Sequence, residues 1–91
     1  MKRDEFALAG VRAEMVFIRA ELLAGLTRAK IAQNTTDEQK RHRNRVEARK
    51  AYDAILRFLP QSSVSSDEKE QIDSKIAELK LVLASLGEDC R

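Results

Sequence analysis

The sequence predicts an all-α protein, an antiparallel three-helix bundle with a long central first helix. Apolar residues recur three and four positions apart along three segments, which is the spacing of a helix side that faces a core. Only three glycines and one proline interrupt the 91 residues, so long helices are favoured. A chain of this length makes one domain, and residues 1–91 are therefore assigned to a single helical domain.

Helix 1 is predicted over about residues 4–33, and it has two apolar sides. One side carries the stripe expected to face the core, which is Leu8, Val11, Met15, Ile18, Leu22, Leu26 and Ala29. The opposite side is rich in alanine, which permits close approach of a second helix. We expect self-association through this side, with the candidate residues Phe6, Ala13, Val16, Phe17, Ala20, Leu23, Ala24 and Ile31. The alternative is that helices 2 and 3 together cover both sides.

Helix 2 is predicted over about residues 37–59. Thr35 with Glu38, or Thr36 with Gln39, fits a capping box at its start. Its first turns are polar, and an apolar side appears only from Val46 onward. Pro60 has no N–H and disfavours helical geometry in the residue before it, so the helix is expected to end there.

Helix 3 is predicted over about residues 66–86, with Ser65 and Glu68 as a second capping box. Gly87 suits the left-handed position that closes a helix, and residues 87–91 are expected to be a frayed tail. Short connections make successive helices antiparallel neighbours. The apolar stripe of helix 3 is Ile72, Ile76, Leu79, Leu83 and Leu86.

The start of helix 2 carries the densest positive charge in the sequence. Such a surface can neutralise phosphates of a nucleic acid, or it can meet an acidic protein surface. It can also be an ordinary solvated surface, since pairs such as Arg49 with Asp53 neutralise part of it and no aromatic residue is interleaved for base stacking. The candidate basic face is Lys40, Arg43, Arg45, Arg49 and Lys50.

The sequence contains no recognisable catalytic, metal-binding or cofactor-binding pattern. One histidine, His42, and one cysteine, Cys90, cannot build a zinc site within one chain. There is no glycine-rich phosphate loop and no nucleophile motif. We therefore expect a protein that is not an enzyme and has no cofactor. Cys90 is interpreted as an incidental thiol, with an intermolecular disulfide as the alternative.

Composition and charge patterning bear on location. Hydrophobic residues make up 43% and charged residues 35% of the chain, which is typical of a globular protein rather than a disordered one. No apolar run is long enough for a membrane span or a signal peptide. The expected location is the cytoplasm, with no membrane partner.

Residues 48–60, ARKAYDAILRFLP, resemble the second helix of a tetratricopeptide repeat. Ala48, Tyr52 and Pro60 stand at that family's small, aromatic and closing-proline positions, whereas Ile55 replaces a usually small residue. The resemblance covers 13 of 91 residues, and the segment before it lacks the family's glycine and aromatic positions. The resemblance implies that helices 2 and 3 form a hairpin packed like that of a tetratricopeptide repeat. Such hairpins are typical of helical protein-binding modules.

These observations together favour a small helical module for protein interaction or assembly, which self-associates or binds another protein. The alternative is a nucleic-acid-associated protein that uses the basic face of helix 2.

Overall fold

The computed structural model describes residues 2–61 and 65–89, with side chains at 14–60 and 65–89. Its helices are α1 (Lys2–Asn34), α2 (Glu38–Phe58) and α3 (Ser66–Ser85), and a 3₁₀ turn at Leu59–Gln61 follows α2. No strand occurs among these residues. The prediction of an all-α three-helix bundle is confirmed, and the largest shift in a helix bound is at the start of α1, at residue 2 instead of about 4.

Contacts between helix ends establish the directions of the three helices. Phe58, the last residue of α2, lies against Phe17 in the first half of α1, so α2 runs antiparallel to α1. Near the end of α3, Ser85 accepts a hydrogen bond from Gln33 near the end of α1, so α3 runs parallel to α1. The molecule measures 54 × 20 × 17 Å, and its long dimension matches the roughly 50 Å expected for a 33-residue helix.

The core lies between one side of α1 and the facing sides of α2 and α3. Met15, Ile18, Leu22, Leu26 and Ala29 are all buried, as the sequence predicted for this stripe. The two other predicted members, Leu8 and Val11, lie outside the described side chains. The buried apolar residues contributed by α2 and α3 are Ala48, Ala51, Tyr52, Ile55, Ile72, Leu79 and Leu83.

At Gly25, side chains from both other helices approach the backbone of α1. A Cβ atom at this position would lie 3.0 Å from Leu79 Cδ2 on α3 and 3.1 Å from Ala51 Cβ on α2. Both distances are shorter than ordinary van der Waals contact. Glycine in a helix interior costs about 1 kcal/mol relative to alanine, so its presence here is explained by packing rather than by helix propensity.

The start of α2 is capped by Asp37, and the predicted capping boxes at Thr35 and Thr36 are wrong. Asp37 Oδ1 accepts hydrogen bonds from the N–H groups of Gln39 at 3.0 Å and Lys40 at 3.1 Å. Thr35 Oγ1 accepts from the N–H of Asp37 itself at 3.2 Å. A carboxylate caps better here because its charge also interacts favourably with the positive end of the helix dipole.

Both ends of α3 follow the sequence prediction. Ser65 Oγ accepts from the N–H of Glu68 at 3.2 Å and donates to the Glu68 carboxylate at 3.2 Å. At the other end Gly87 has φ +88°, and the N–H groups of Gly87 and Glu88 bond to Ala84 O and Leu83 O, each at 3.0 Å. This is a Schellman motif, and glycine is favoured in it because L-residues rarely adopt positive φ.

Among the described residues, no helix combines the length and the apolar character that a membrane span requires.

The close approach at Gly25 predicts that Gly25→Val destabilises the protein by about 1–3 kcal/mol, the usual cost of overpacking a core. Helix propensity alone would favour valine slightly over glycine. Urea unfolding followed by circular dichroism measures the difference. The matched control is Ala77→Val, which places the same side chain at an exposed position of α3 and should cost well under about 1 kcal/mol. Equal losses in the two variants would contradict the packing explanation.

The cap assignment predicts that Asp37→Ala lowers the free energy of unfolding by about 0.5–2 kcal/mol, because two N–H groups lose their acceptor. Thr36→Ala should change it little, since Thr36 is exposed and is not the cap residue. The same urea titration compares both variants. A larger loss at Thr36 than at Asp37 would restore the capping box expected from the sequence.

Candidate functional site

The side of α1 that faces away from α2 and α3 is apolar and exposed. Val16 is 67% exposed, Leu23 69% and Phe17 41%. Ala20 and Ala24, which lie between them, are exposed as well. These five residues are called the outer face of α1 below. Of the other candidates on this side, Ile31 is half-buried, and Phe6 and Ala13 lie outside the described side chains.

The outer face results from where α2 and α3 sit. Both helices pack on the same side of α1, so neighbouring residues of α1 differ sharply in burial. Leu22 is 5% exposed, whereas Leu23, one position and 100° further around the helix, is 69% exposed. The two apolar sides seen in the sequence are therefore both real, but the described residues cover only one of them.

The apolar surface continues from α1 onto the end of α2. The rings of Phe17 and Phe58 meet edge to face, with centroids 5.4 Å apart and planes at 85°. Phe58 remains 43% exposed. Contiguous exposed apolar surface is uncommon on proteins that act as monomers, and it is typical of interaction sites.

An ion pair joins α1 to α3 beside the core. Lys30 Nζ lies 3.2 Å from Glu78 Oε1, and Lys75 Nζ lies 3.5 Å from Glu78 Oε2. The hydrogen bond from Lys30, together with the charges of Lys30 and Lys75, lowers the pKa of the Glu78 carboxyl from its ordinary value. This pair is solvent-exposed, so it contributes little to stability and mainly sets the charge near the α1–α3 contact.

The basic residues of α2 form two separate lines rather than one face. Lys40, Arg43 and Lys50 lie three to seven residues apart along one side, with Glu47 between them and 3.5 Å from Lys50. Arg45 and Arg49 belong to a second line, which begins with Arg41 at the same four-residue spacing. Three residues of the predicted basic face therefore lie on the first line, and the other two lie on the second. The second line, Arg41, Arg45 and Arg49, is called the arginine column below.

The arginine column is held by neighbouring polar groups. Arg41 Nη2 donates to the carbonyl of Thr35 at 2.7 Å. Arg45 Nη2 lies 3.1 Å from His42 Nδ1. Arg49 Nε donates to Asp53 Oδ1 at 3.0 Å, which is the i, i+4 pair expected from the sequence. The three guanidinium groups are therefore positioned rather than free to sample solvent.

Glu88 and Asp89, which the sequence assigns to a frayed tail, lie against this column. Arg45 Nε and Arg49 Nη1 are each 3.7 Å from a carboxylate oxygen of Glu88. Arg49 Nη1 also donates to the carbonyl of Asp89 at 2.8 Å. The Schellman turn at Gly87 directs the chain back toward α2, so the tail partly neutralises the column. Cys90 lies outside the described residues.

No group of three His, Cys, Asp or Glu residues suited to a metal ion occurs among the described side chains. The candidate basic face left out Arg41, which lies in the same basic run, and the sequence did not predict Glu88 as a partner of Arg45 and Arg49. The four-residue spacing of Arg41, Arg45 and Arg49 was available as a signal for the column, whereas the approach of Glu88 depends on the tertiary fold.

Because the two sides of α1 differ in burial, replacing Leu22 or Leu23 by alanine should lower the free energy of unfolding by different amounts. Leu22→Ala should destabilise the protein by about 2–5 kcal/mol, because it leaves a cavity in the core. At a protein concentration low enough to keep the chain monomeric, Leu23→Ala should stay within about 0.5 kcal/mol of the parent. Chemical denaturation measures both. A comparable loss at Leu23 under these conditions would mean that the outer face is already covered within one chain.

Two features thus qualify as candidate sites: the outer face of α1, which is apolar, and the arginine column, which is basic. Both are identified from the exposure and contacts of their own side chains. Comparison with known protein families, with curated proteins and with solved structures found no match to it.

Proposed function

We propose that the protein is a small helical assembly module that pairs with a second copy of itself through the outer face of α1. The observation that carries the proposal is the exposure of Val16 and Leu23, at 67% and 69%, on the side opposite the core. Burying such side chains in a partner removes apolar surface from water, which is the main favourable term in association. The proposed role is structural and not enzymatic.

A second copy suits this face because a small residue lies at its centre and larger apolar residues lie one turn away. Ala20 lies at its centre, with Val16 one turn before it and Leu23 and Ala24 one turn after it. When two copies cross at Ala20 about a two-fold axis, the two small Ala20 side chains meet at the centre, and Val16 and Leu23 lie on either side of the crossing point. Small central residues let helix axes approach closely, and a two-fold interface requires a surface that fits itself.

The edges of the outer face also support pairing. Phe17 with Phe58 forms an aromatic rim on one side, and aromatic residues are enriched at interfaces. Arg19 and Glu21 are charged residues that flank the face on opposite sides of α1. Polar flanks around an apolar centre are the usual anatomy of an interface, and they limit the contact to one strip of the helix.

The alternative expected from the sequence is nucleic-acid binding by Lys40, Arg43, Arg45, Arg49 and Lys50. It ranks second because carboxylates accompany these residues: Glu47 pairs with Lys50, and Glu88 with Arg45 and Arg49. Local neutralisation reduces the counterion release that drives non-specific nucleic-acid binding. The proposal keeps the cytoplasmic location expected from the sequence.

The self-association proposal predicts that Ala20→Glu converts a dimer into a monomer, because it places two charges at the centre of an apolar contact. Sedimentation equilibrium or light scattering over a range of protein concentrations measures the mass. We expect the dissociation constant to rise by at least about a hundredfold, corresponding to about 3 kcal/mol or more.

The matched control is Gln71→Glu, which adds the same charge at an exposed position of α3 and should leave the mass unchanged. Circular dichroism verifies that both variants are folded. A parent protein that stays monomeric up to millimolar concentration would contradict self-association, as would a folded Ala20→Glu variant with the same mass as the parent dimer.

A further inference from the structure

Two side chains of opposite charge flank the centre of the outer face of α1. Arg19 directly precedes Ala20 in the sequence and Glu21 directly follows it, so the two lie about 100° from Ala20 in opposite directions around the helix. Arg19 is exposed and Glu21 is half-buried. Neither forms an ion pair with another described side chain. One flank of the outer face is therefore positive at its centre and the other is negative.

The positive flank borders a groove between α1 and α3, with a volume of about 220 Å³. The residues that line the groove are Arg19, Leu22, Leu23, Leu26 and Lys75. Lys75 Nζ lies 3.5 Å from Glu78 Oε2, so the charge of Lys75 is partly neutralised, whereas that of Arg19 is not. A groove with an apolar floor and two cations suits a carboxylate that is accompanied by apolar side chains.

The negative flank of the outer face has this composition. Phe17 lies one turn before Glu21 and Ala24 lies one turn after it, so all three share one side of α1. Phe17 and Ala24 are exposed and belong to the outer face. A second copy of the chain therefore supplies both the carboxylate and the apolar surface that complement the groove.

A two-fold axis can relate two paired helices in two ways. When the axis runs along the helices, the copies are parallel and opposite flanks meet, so Arg19 of each copy faces Glu21 of the other. When the axis is perpendicular to the helices, the copies are antiparallel and like flanks meet, so Arg19 faces Arg19 and Glu21 faces Glu21. Ala20 lies at the crossing point in both arrangements, which leaves the charges to decide between them. Opposite charges across an interface attract, whereas like charges placed together cost free energy.

We propose that two copies of the chain pair in parallel, with Glu21 of each copy beside Arg19 and Lys75 at the groove of the other. This inference rests on the self-association proposed above, to which it adds a direction and two symmetric ion pairs. Parallel pairing places equivalent ends of the two copies together, at one end of a molecule 54 Å long.

Like charges do meet further along the flanks of a parallel pair, where Lys30 of one copy faces Arg28 of the other. This contact is weakened because Lys30 is already paired with Glu78 at 3.2 Å. It also lies eight to ten residues from Ala20, where crossing helices diverge. The central contacts of Arg19 with Glu21 therefore dominate.

The first test measures the direction by disulfide formation in a Cys90→Ser background. Thr27 is exposed and lies two turns after Ala20 on the same side of α1. Thr27→Cys should link the two copies of a parallel pair on mild oxidation, because equivalent residues of the outer face are then adjacent. In an antiparallel pair the two positions are roughly 21 Å apart along the helices, far beyond the limit of about 7 Å between the Cα atoms of a disulfide. Gln71→Cys, at an exposed position of α3, measures linkage by random collision.

The second test reverses the charges. Arg19→Glu should raise the dissociation constant of the pair by at least about tenfold, because both contacts with Glu21 become repulsive. Adding Glu21→Arg should recover at least about threefold of this loss, since opposite charges meet again. Lys80→Glu makes the same change in net charge at an exposed position of α3 and should alter the dissociation constant less than about twofold. Sedimentation equilibrium measures the constants, and circular dichroism verifies that each variant is folded.

The outcomes separate the direction of pairing from pairing itself. Ala20→Cys should form a disulfide in either direction, because Ala20 lies at the crossing point of both. No disulfide at Ala20→Cys, with a parent that stays monomeric, would overturn self-association and the direction with it. A disulfide at Ala20→Cys but none at Thr27→Cys, with Arg19→Glu as tight as the parent, would overturn parallel pairing and leave self-association standing. An antiparallel pair gives that result, since the substitution only exchanges one like-charge contact for another.

Discussion

The architecture depends on the close approach of three helices at Gly25. Because this residue has no Cβ, Ala51 on α2 and Leu79 on α3 can both reach the backbone of α1 at the same level. The fully buried residues Ile18 and Ile55 belong to the same core, so their packing presupposes this spacing. A larger residue at position 25 would force Leu79 or Ala51 to move, and close-packed interiors adjust little to added volume.

The same close approach explains why α1 keeps an uncovered apolar face. Two helices that both contact Gly25 must lie side by side on one half of the circumference of α1. They therefore cannot extend around to Ala20, which points away from the core. Among the described residues, the outer face is therefore left uncovered by the geometry of the bundle. Besides the positions taken by α2 and α3, the outer face leaves room for one more helix to pack against α1.

Much of this fold could be predicted from the sequence, and the misses have physical causes. Helix positions and the core stripe follow from apolar spacing, and Gly87 was identifiable because a positive φ strongly favours glycine. The cap was misassigned because Thr35, Thr36 and Asp37 are all good capping residues, and only the backbone path decides among them. Gly25 carries no sequence signal of its own, since a close approach between helices is a tertiary property.

The basic residues show where sequence reasoning stops for the candidate sites. The pair of Arg49 with Asp53 lies within one helix turn and could be expected, whereas Glu88 is separated from Arg45 by 43 positions along the sequence (88 − 45). Such long-range pairs depend on the fold, and here the turn at Gly87 creates them. The arginine column lies on α2 and the outer face lies on α1, so a substitution in one of these surfaces should leave the other intact.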